Sequence, residues 1–223
     1  MKIVSINGSS TGSKGVTGQT LQGVIKGAIE SGANVESFVL ADMEINHCRA
    51  CKTCQKTGKC VINDDYPKIQ DALLKADGVI LASPNYIRNV SSLMKAFLDR
   101  GFSLLFHCQA MAGKYGAVVV ASAGPQYQPV VDYMMHITGT MGNWKVGSVV
   151  AASAMMDDAD TRKELIDETM ELGRNLAEAI KTKKPFPEQK KEREETFEIM
   201  RWLVETIKDS APFEYEYWQK NHV

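Results

Sequence analysis

Hydrophobic residues in this chain come in two alternating textures, short β-branched runs and longer stretches with apolar residues three or four apart. "KIVSING" (residues 2–8) is of the first kind and closes at Asn7 and Gly8. A Gly/Ser/Thr loop follows, then "TLQGVIKGAIESG", apolar at Leu21, Val24, Ile25 and Ile29, which gives strand, loop and helix. "NVESFVL" predicts a second strand, and "DDYPKIQDALLKADG" a helix with Asp64 and Asp65 as cap residues and Pro67 in its first turn. "GVILASP" and "KYGAVVVASAG" are nearly continuous apolar runs, as expected of parallel strands buried on both faces. "SSLMKAFLDRG", capped by Ser91 or Ser92, "PVVDYMMHITGTMG" and "DTRKELIDETMELGRNLAEAIKT" predict helices, and "KVGSVVAAS" the fifth strand.

Five strands alternating with five helices predict an α/β domain with a parallel sheet over residues 1–184. Right-handed crossovers place the loops that leave the strand carboxyl ends along one edge, where ligands bind, so residues 8–19, 41–63, 83–91 and 122–128 are the informative ones. A Pro- and Lys-rich linker, "KKPFPEQKK", leads into "EREETFEIMRWLVETIKDS", with Phe197, Met200, Leu203, Val204 and Ile207 on one helical face. This extension, residues 185–223, is expected to cover its own domain or a partner subunit. The partner is favoured because the first domain already looks complete. The aromatic, acidic "APFEYEYWQK" has no assigned place.

Composition narrows the function. With 26 Lys+Arg against 27 Asp+Glu, the formal charge of -1 lacks the basic footprint of a nucleic-acid binder. "MKIVSINGSS" has no signal-peptide h-region and no membrane-length apolar run follows, so a cytoplasmic protein without membrane contact is expected. In that reducing compartment thiols stay thiols. Yet Cys48, Cys51, Cys54 and Cys60, four of the five cysteines, crowd into "HCRACKTCQKTGKC" at C-x2-C-x2-C-x5-C. Metal or redox chemistry is the leading explanation.

The first loop, "NGSSTGSKGVTGQT", offers hydroxyls from Ser9, Ser10, Thr11, Ser13, Thr17 and Thr20 with backbone N–H groups at a helix start, a cradle suited to a phosphate monoester. An ordinary strand-to-helix loop is the alternative. Lys14 is not in a G-K-[ST] setting and G-x-G-x-x-G is absent, which argues against an NTPase and a dinucleotide fingerprint. In "SPNYIRNVSSLMKAFLDR", Tyr86 offers a flat surface on which a ring system can lie.

With "GSS", "GQT", "SPNY" and "KAFLDR", residues 1–180 resemble the flavodoxin-like NAD(P)H-dependent FMN reductase family, whose pattern is close to GS-(x)n-GNT and SPxYxxxxxxxxKxFxDR. The resemblance implies a three-layer sandwich, a five-stranded parallel sheet of order 2-1-3-4-5, and FMN. By position, Ser9, Ser10, Gln19 and Thr20 would hold the phosphate. Pro84, Asn85, Tyr86 and Ile87 would border the isoalloxazine, and the loop carrying Ala123 and Gly124 would close its other side. The first loop is longer than usual in the family and has Gln19 where Asn is common.

An iron-sulfur flavoprotein branch of that family has a C-x2-C-x2-C-x(4–7)-C motif after strand two, and Cys48, Cys51, Cys54 and Cys60 match it in spacing and position, implying a [4Fe–4S] cluster. Lys52, Lys56 and Lys59 favour thiolates and an anionic cluster. Zinc, a Cys51/Cys54 dithiol switch, and a cluster-free reductase keeping a similar cysteine loop are the alternatives. Cys108 is expected to be a buried hydrophobe, and His47 to border the cluster. The expected activity is transfer of electrons from a ferredoxin-like carrier or NAD(P)H to a small-molecule acceptor, with no catalytic side chain required, in a homodimer or homotetramer.

Overall fold

The computed structural model describes residues 1–152 and 158–222. Ser153, the last residue of the expected fifth strand, lies outside the described residues. The strands are β1 (Lys2–Asn7), β2 (Asn34–Val39), β3 (Gly78–Pro84), β4 (Tyr115–Ser122) and β5 (Trp144–Ala152). All pair in parallel, in the order β2-β1-β3-β4-β5. The register sets Ile6 beside Leu81 and Leu81 beside Val118. Every residue of β3 and β4 is buried, because helices cover both faces of the sheet. At the edge, β2 is mostly exposed or half-buried, and Ser5 Oγ donates to Ser37 Oγ at 2.8 Å across the β1–β2 pair.

Helices α1 (Val16–Glu30) and α6 (Ala159–Thr182) cover one face, with Leu21, Val24, Ile25, Leu172 and Leu176 in contact with the sheet's Ile3, Ile80 and Val119. They pack backbone to backbone, since a Cβ at Gly173 would lie 2.0 Å from Val24 O. The other face is covered by α3 (Tyr66–Leu74), α4 (Ser92–Arg100) and α5 (Gln128–Thr140), through Ile69, Leu73, Met94, Phe97, Val130 and Met134. Each fully buried aliphatic or aromatic side chain contributes about 2 kcal/mol, far more than strand or helix propensity.

The helix boundaries refine the sequence expectation: one start moves, one cap is decided between two serines, and one helix is extended. Helix α1 begins at Val16 rather than Thr20, with Gly15 as an N-cap that makes no side-chain cap bond, so no capping residue announced the start. At α4, Ser91 is the cap, its Oγ accepting from Met94 N at 3.1 Å. A π-helix, Phe102–His107, extends the chain beyond α4.

The extension forms α7 (Lys190–Thr206) and α8 (Pro212–Asn221), and both pack on this chain's own domain. Gln189 brackets Lys145, accepting from its N at 2.9 Å and donating to its O at 2.8 Å. The Arg193 guanidinium stacks 3.8 Å from the Trp144 ring and donates to Gly142 O at 2.6 Å. The predicted α7 stripe faces inward, with Val204 buried and Phe197 4.7 Å from the Trp218 ring. The unplaced aromatic segment is α8 itself, which buries Ala211, Glu214 and Trp218. Among the described residues no helix is long and apolar enough to cross a membrane.

Candidate functional site

At the carboxyl ends of β1, β3 and β4 lies a crevice of about 230 Å³ lined by Ser9, Thr11, Val16, Thr17, Pro84 and Tyr86, with Asn85 and residues 121–123. A hollow of about 550 Å³ adjoins it, sharing Asn85, Ser122 and Ala123 and adding Ile87, Arg88 and Gly124. A comparably large space of about 480 Å³ beneath α7, at Gly142, Trp144, Arg193 and Phe197, has no hydroxyl cradle.

The crevice floor is built by the β1–α1 loop. Ser9 N donates to Asn7 Oδ1 at 2.9 Å, and Asn7 Nδ2 donates to Gly12 O at 3.0 Å, so Asn7 holds both ends of the turn. Ser9 Oγ and Thr11 Oγ1 lie 2.9 Å apart. The first bond of α1 runs from Gln19 N to Gly15 O, which leaves the amides of Val16, Thr17 and Gly18 without intrahelical partners at the positive end of the helix dipole. No acidic side chain occupies that first turn. An anion is favoured there.

Ser9 is thus placed in the cradle, while Ser10 sits at its rim with Oγ 3.4 Å from Tyr86 Oη. Gln19 and Thr20 are not brought to it. Gln19 is exposed and its amide donates to Lys14 O at 3.0 Å, whereas the Thr20 hydroxyl donates to Val16 O at 2.8 Å. Both line a separate hollow between α1 and α6. The earlier helix start explains this, because it places Thr17 in the first turn and Thr20 a turn further along.

Across the crevice, Asn85 Nδ2 donates to Ser122 Oγ at 3.0 Å and Gln126 O at 2.9 Å, tying the loop after β3 to the loop after β4. Its Oδ1 is buried with no partner, an acceptor available to a donor in a bound ligand. Tyr86 and Asn89 exchange backbone bonds of 2.9 and 3.0 Å around Ile87 and Arg88, whose φ values of 53° and 59° are the paired left-handed conformation of a type I′ turn. Neither residue favours that conformation. Ile87 is 100% exposed and Tyr86 49% exposed, so two large side chains stand uncovered at the mouth. Ala123 and Gly124 form the opposite lip, with Gly124 O accepting from Ser122 Oγ at 2.8 Å.

The cysteine loop follows β2 and contains a short helix, α2 (Thr53–Thr57). Ala50 and Lys52 have φ values of 50° and 60°, so the chain coils between each successive pair among Cys48, Cys51 and Cys54. Ala50 N donates to Cys48 Sγ at 3.4 Å. The thiols feel one another: Cys54 is pushed up to about 11, first by burial, then by Cys60, Glu214, Cys48 and Cys51. Exposed Cys51 is lowered, chiefly by hydrogen bonds from Thr53. Cys108 is fully buried and burial pushes its thiol up. His47 is exposed on the loop.

Among the described residues no group of three or more His, Cys, Asp or Glu side chains is arranged to hold a single metal ion. A four-iron cube spaces its ligand sulfurs more widely than one ion does, and four thiols on one coiled loop are the right donor chemistry for it.

Beneath the loop lies an ion pair that the sequence showed only as motif letters. Arg100 Nη1 lies 2.6 Å from Asp64 Oδ2 and Nη2 lies 3.0 Å from Oδ1, with side chains 1% and 0% exposed. Arg100 Nη1 also donates to Asn46 O at 2.9 Å, and its guanidinium stacks 4.7 Å from the Tyr66 ring. Burial opposes the Arg100 charge, but Asp64 and Cys60 outweigh it and raise its pKa. Asp64, expected as a helix cap, does accept from Tyr66 N at 3.1 Å, but its larger role is to pin Asn46 and Arg100 around the loop's base.

A doubly wound parallel sheet with a phosphate cradle and an open aromatic-edged crevice at its strand ends defines a flavodoxin-like flavin-binding protein. The family model for NADPH-dependent FMN reductases matches residues 1–157. An iron-sulfur flavoprotein of Archaeoglobus fulgidus is 34% identical over 187 residues, covering 82% of each chain. Another, from Methanocaldococcus jannaschii, is 36% identical over 136 residues, 61% of this chain and 70% of that one. Among solved structures, a flavone reductase superposes with a TM-score of 0.66 at 20% identity, over 81% of this chain and 63% of that one. An NADH:FMN oxidoreductase in its apo form gives 0.59 at 22% identity, over 78% and 88%. The chain belongs to the NADPH-dependent FMN reductase family. It is an FMN-dependent oxidoreductase.

Proposed function

We propose that the chain carries FMN along its strand ends and a [4Fe–4S] cluster on Cys48, Cys51, Cys54 and Cys60, and passes electrons from a ferredoxin-like carrier or NAD(P)H to a small acceptor. The observation that carries the cluster reading is the coil of the cysteine loop, in which left-handed Ala50 lies between Cys48 and Cys51 and left-handed Lys52 between Cys51 and Cys54. The names of the archaeal relatives support it. When bound, the flavin supplies one- or two-electron exchange and the cluster one-electron exchange.

This chain's own residues bind and orient. Ser9, Thr11, Thr17 and the amides of Val16–Gly18 hold the phosphate, with Ser10 at the rim. Pro84, Asn85, Tyr86 and Ile87 border the ring on one side and Ala123 and Gly124 on the other, with the Asn85 carbonyl oxygen accepting from the ring's polar edge. A homodimer or homotetramer is part of the proposal, supported by Ile199 and Trp202, which α7 leaves 58% and 67% exposed.

The test is iron, sulfide, zinc and flavin content per chain after anaerobic purification, with visible spectra before and after dithionite. About four irons and one FMN per chain, with a band near 400 nm that bleaches, are expected. FMN without iron, even after reconstitution, would move the protein to the cluster-free reductases. Cys54→Ser is expected to lose iron and keep FMN.

A further inference from the structure

The cysteine loop does not stand alone, because α8 presses two consecutive residues onto its inner half. Phe213 lies over Gly58, where φ is +74° and an added Cβ would fall 2.4 Å from Phe213 Cε2. Next to it, Glu214 Oε2 accepts from Gln55 Nε2 at 3.4 Å and pairs with His107 Nδ1 at 3.1 Å. Trp218 Nε1 then fixes His107 by donating to its carbonyl at 2.9 Å. Gln55 is 6% exposed and sits between Cys54 and Cys60, so this contact grips the segment joining two of the four thiols.

Glu214 itself is 0% exposed, and its Oε1 has no hydrogen-bond partner. A buried carboxyl group with an orphaned oxygen is an expensive way to pack a helix, and an apolar side chain of the same volume would serve the fold better. Its neighbours suggest what it does instead. They are Gln55 on the cysteine loop and His107 on the π-helix.

We infer that α8 is part of the cysteine site, with Glu214 as a positioning residue that braces the Cys54–Cys60 half of the loop through Gln55 while Phe213 packs over Gly58. This rests on the [4Fe–4S] reading above. It also assigns a role to a segment outside the region matched by the family model, which ends at residue 157. The braced loop holds its thiols at the spacing the cluster needs and slows cluster loss, as residues behind metal ligands do elsewhere.

The test uses the full chain, reconstituted anaerobically, as wild type, Glu214→Ala, Glu214→Gln and the exposed-site control Glu216→Ala. Iron release to a chelator and FMN content are read together. Glu214→Ala is expected to release iron about tenfold faster with FMN retained. Glu214→Gln, which keeps an acceptor oxygen for Gln55 or His107, is expected to restore slow release. Wild-type release from Glu214→Ala, or fast release from Glu214→Gln, would overturn the inference. If the wild type takes up no iron, the cluster reading fails and the brace is read in the iron-free chain by hydrogen exchange over residues 53–58. Protection lost in Glu214→Ala and restored in Glu214→Gln upholds the brace, and unchanged protection overturns it.

Discussion

Arg100 meets Asp64 through two parallel hydrogen bonds of 2.6 and 3.0 Å beneath the cysteine loop, joining the end of α4 to the segment that leads into α3. Both side chains are shut off from solvent, so removing one strands the other's charge. Arg100→Leu is expected to destabilise the fold by about 3 kcal/mol, as loss of one partner in a buried pair does. Urea unfolding followed by circular dichroism checks this, and a loss below about 1 kcal/mol would show the pair to be dispensable.

Acid should act through the same pair. Burial raises the Asp64 pKa, but the bonds from Arg100, Asn46 and Tyr66 outweigh it and hold the carboxyl below the usual range. A depressed folded pKa contributes stability above the ordinary carboxylate value of about 3.9 and loses it as pH falls through the folded value. The stability gap between wild type and Asp64→Asn is therefore expected to be full at pH 7 and to shrink below about pH 4. Urea titrations at pH 7, 5 and 3 read it directly, and a gap independent of pH would contradict the assignment.

The phosphate cradle makes a sharper distinction between neighbours. Thr17→Val removes a hydroxyl that lines the crevice, whereas Gln19→Ala removes an amide that points back to Lys14 O. FMN affinity, measured by quenching of flavin fluorescence, is expected to fall about tenfold for Thr17→Val, the worth of one hydrogen bond to a charged group, and to stay within about twofold for Gln19→Ala. The reverse order would place the phosphate further along α1.

Ile87 and Arg88 hold a turn that Asn-Gly would adopt more readily. The double change Ile87→Asn with Arg88→Gly is expected to raise stability by about 1 kcal/mol, since strain of this kind costs about 1 kcal/mol or more per residue. FMN affinity is expected to weaken, because the exposed Ile87 side chain is lost from the crevice mouth. Thermal unfolding with and without FMN separates the two effects. A loss of stability would mean that side-chain contacts, not backbone strain, dominate the turn.

The order of strands and helices was legible in the sequence because burial writes itself into local periodicity. "GVILASP" and "AVVVAS" are apolar throughout since both faces of β3 and β4 meet helices, and α1 and α6 show a stripe since only one side of each is covered. The cysteine spacing and the "SPNY" and "KAFLDR" segments were legible for the same reason, each being a short run whose chemistry depends on near neighbours. What escaped depended on residues distant in the chain. Gly15 starts α1 without a capping side chain, so nothing local showed that the helix begins at Val16 and that Thr17, not Thr20, lines the crevice. Asp64 and Arg100 are 36 residues apart, and Gln55 and Glu214 are 159 apart, so only folding decides that they meet. The sequence by itself determined the layers and the two loops that carry chemistry. The tertiary structure decided which buried charges stand behind them, because a hydrogen bond between distant segments leaves no period in the chain.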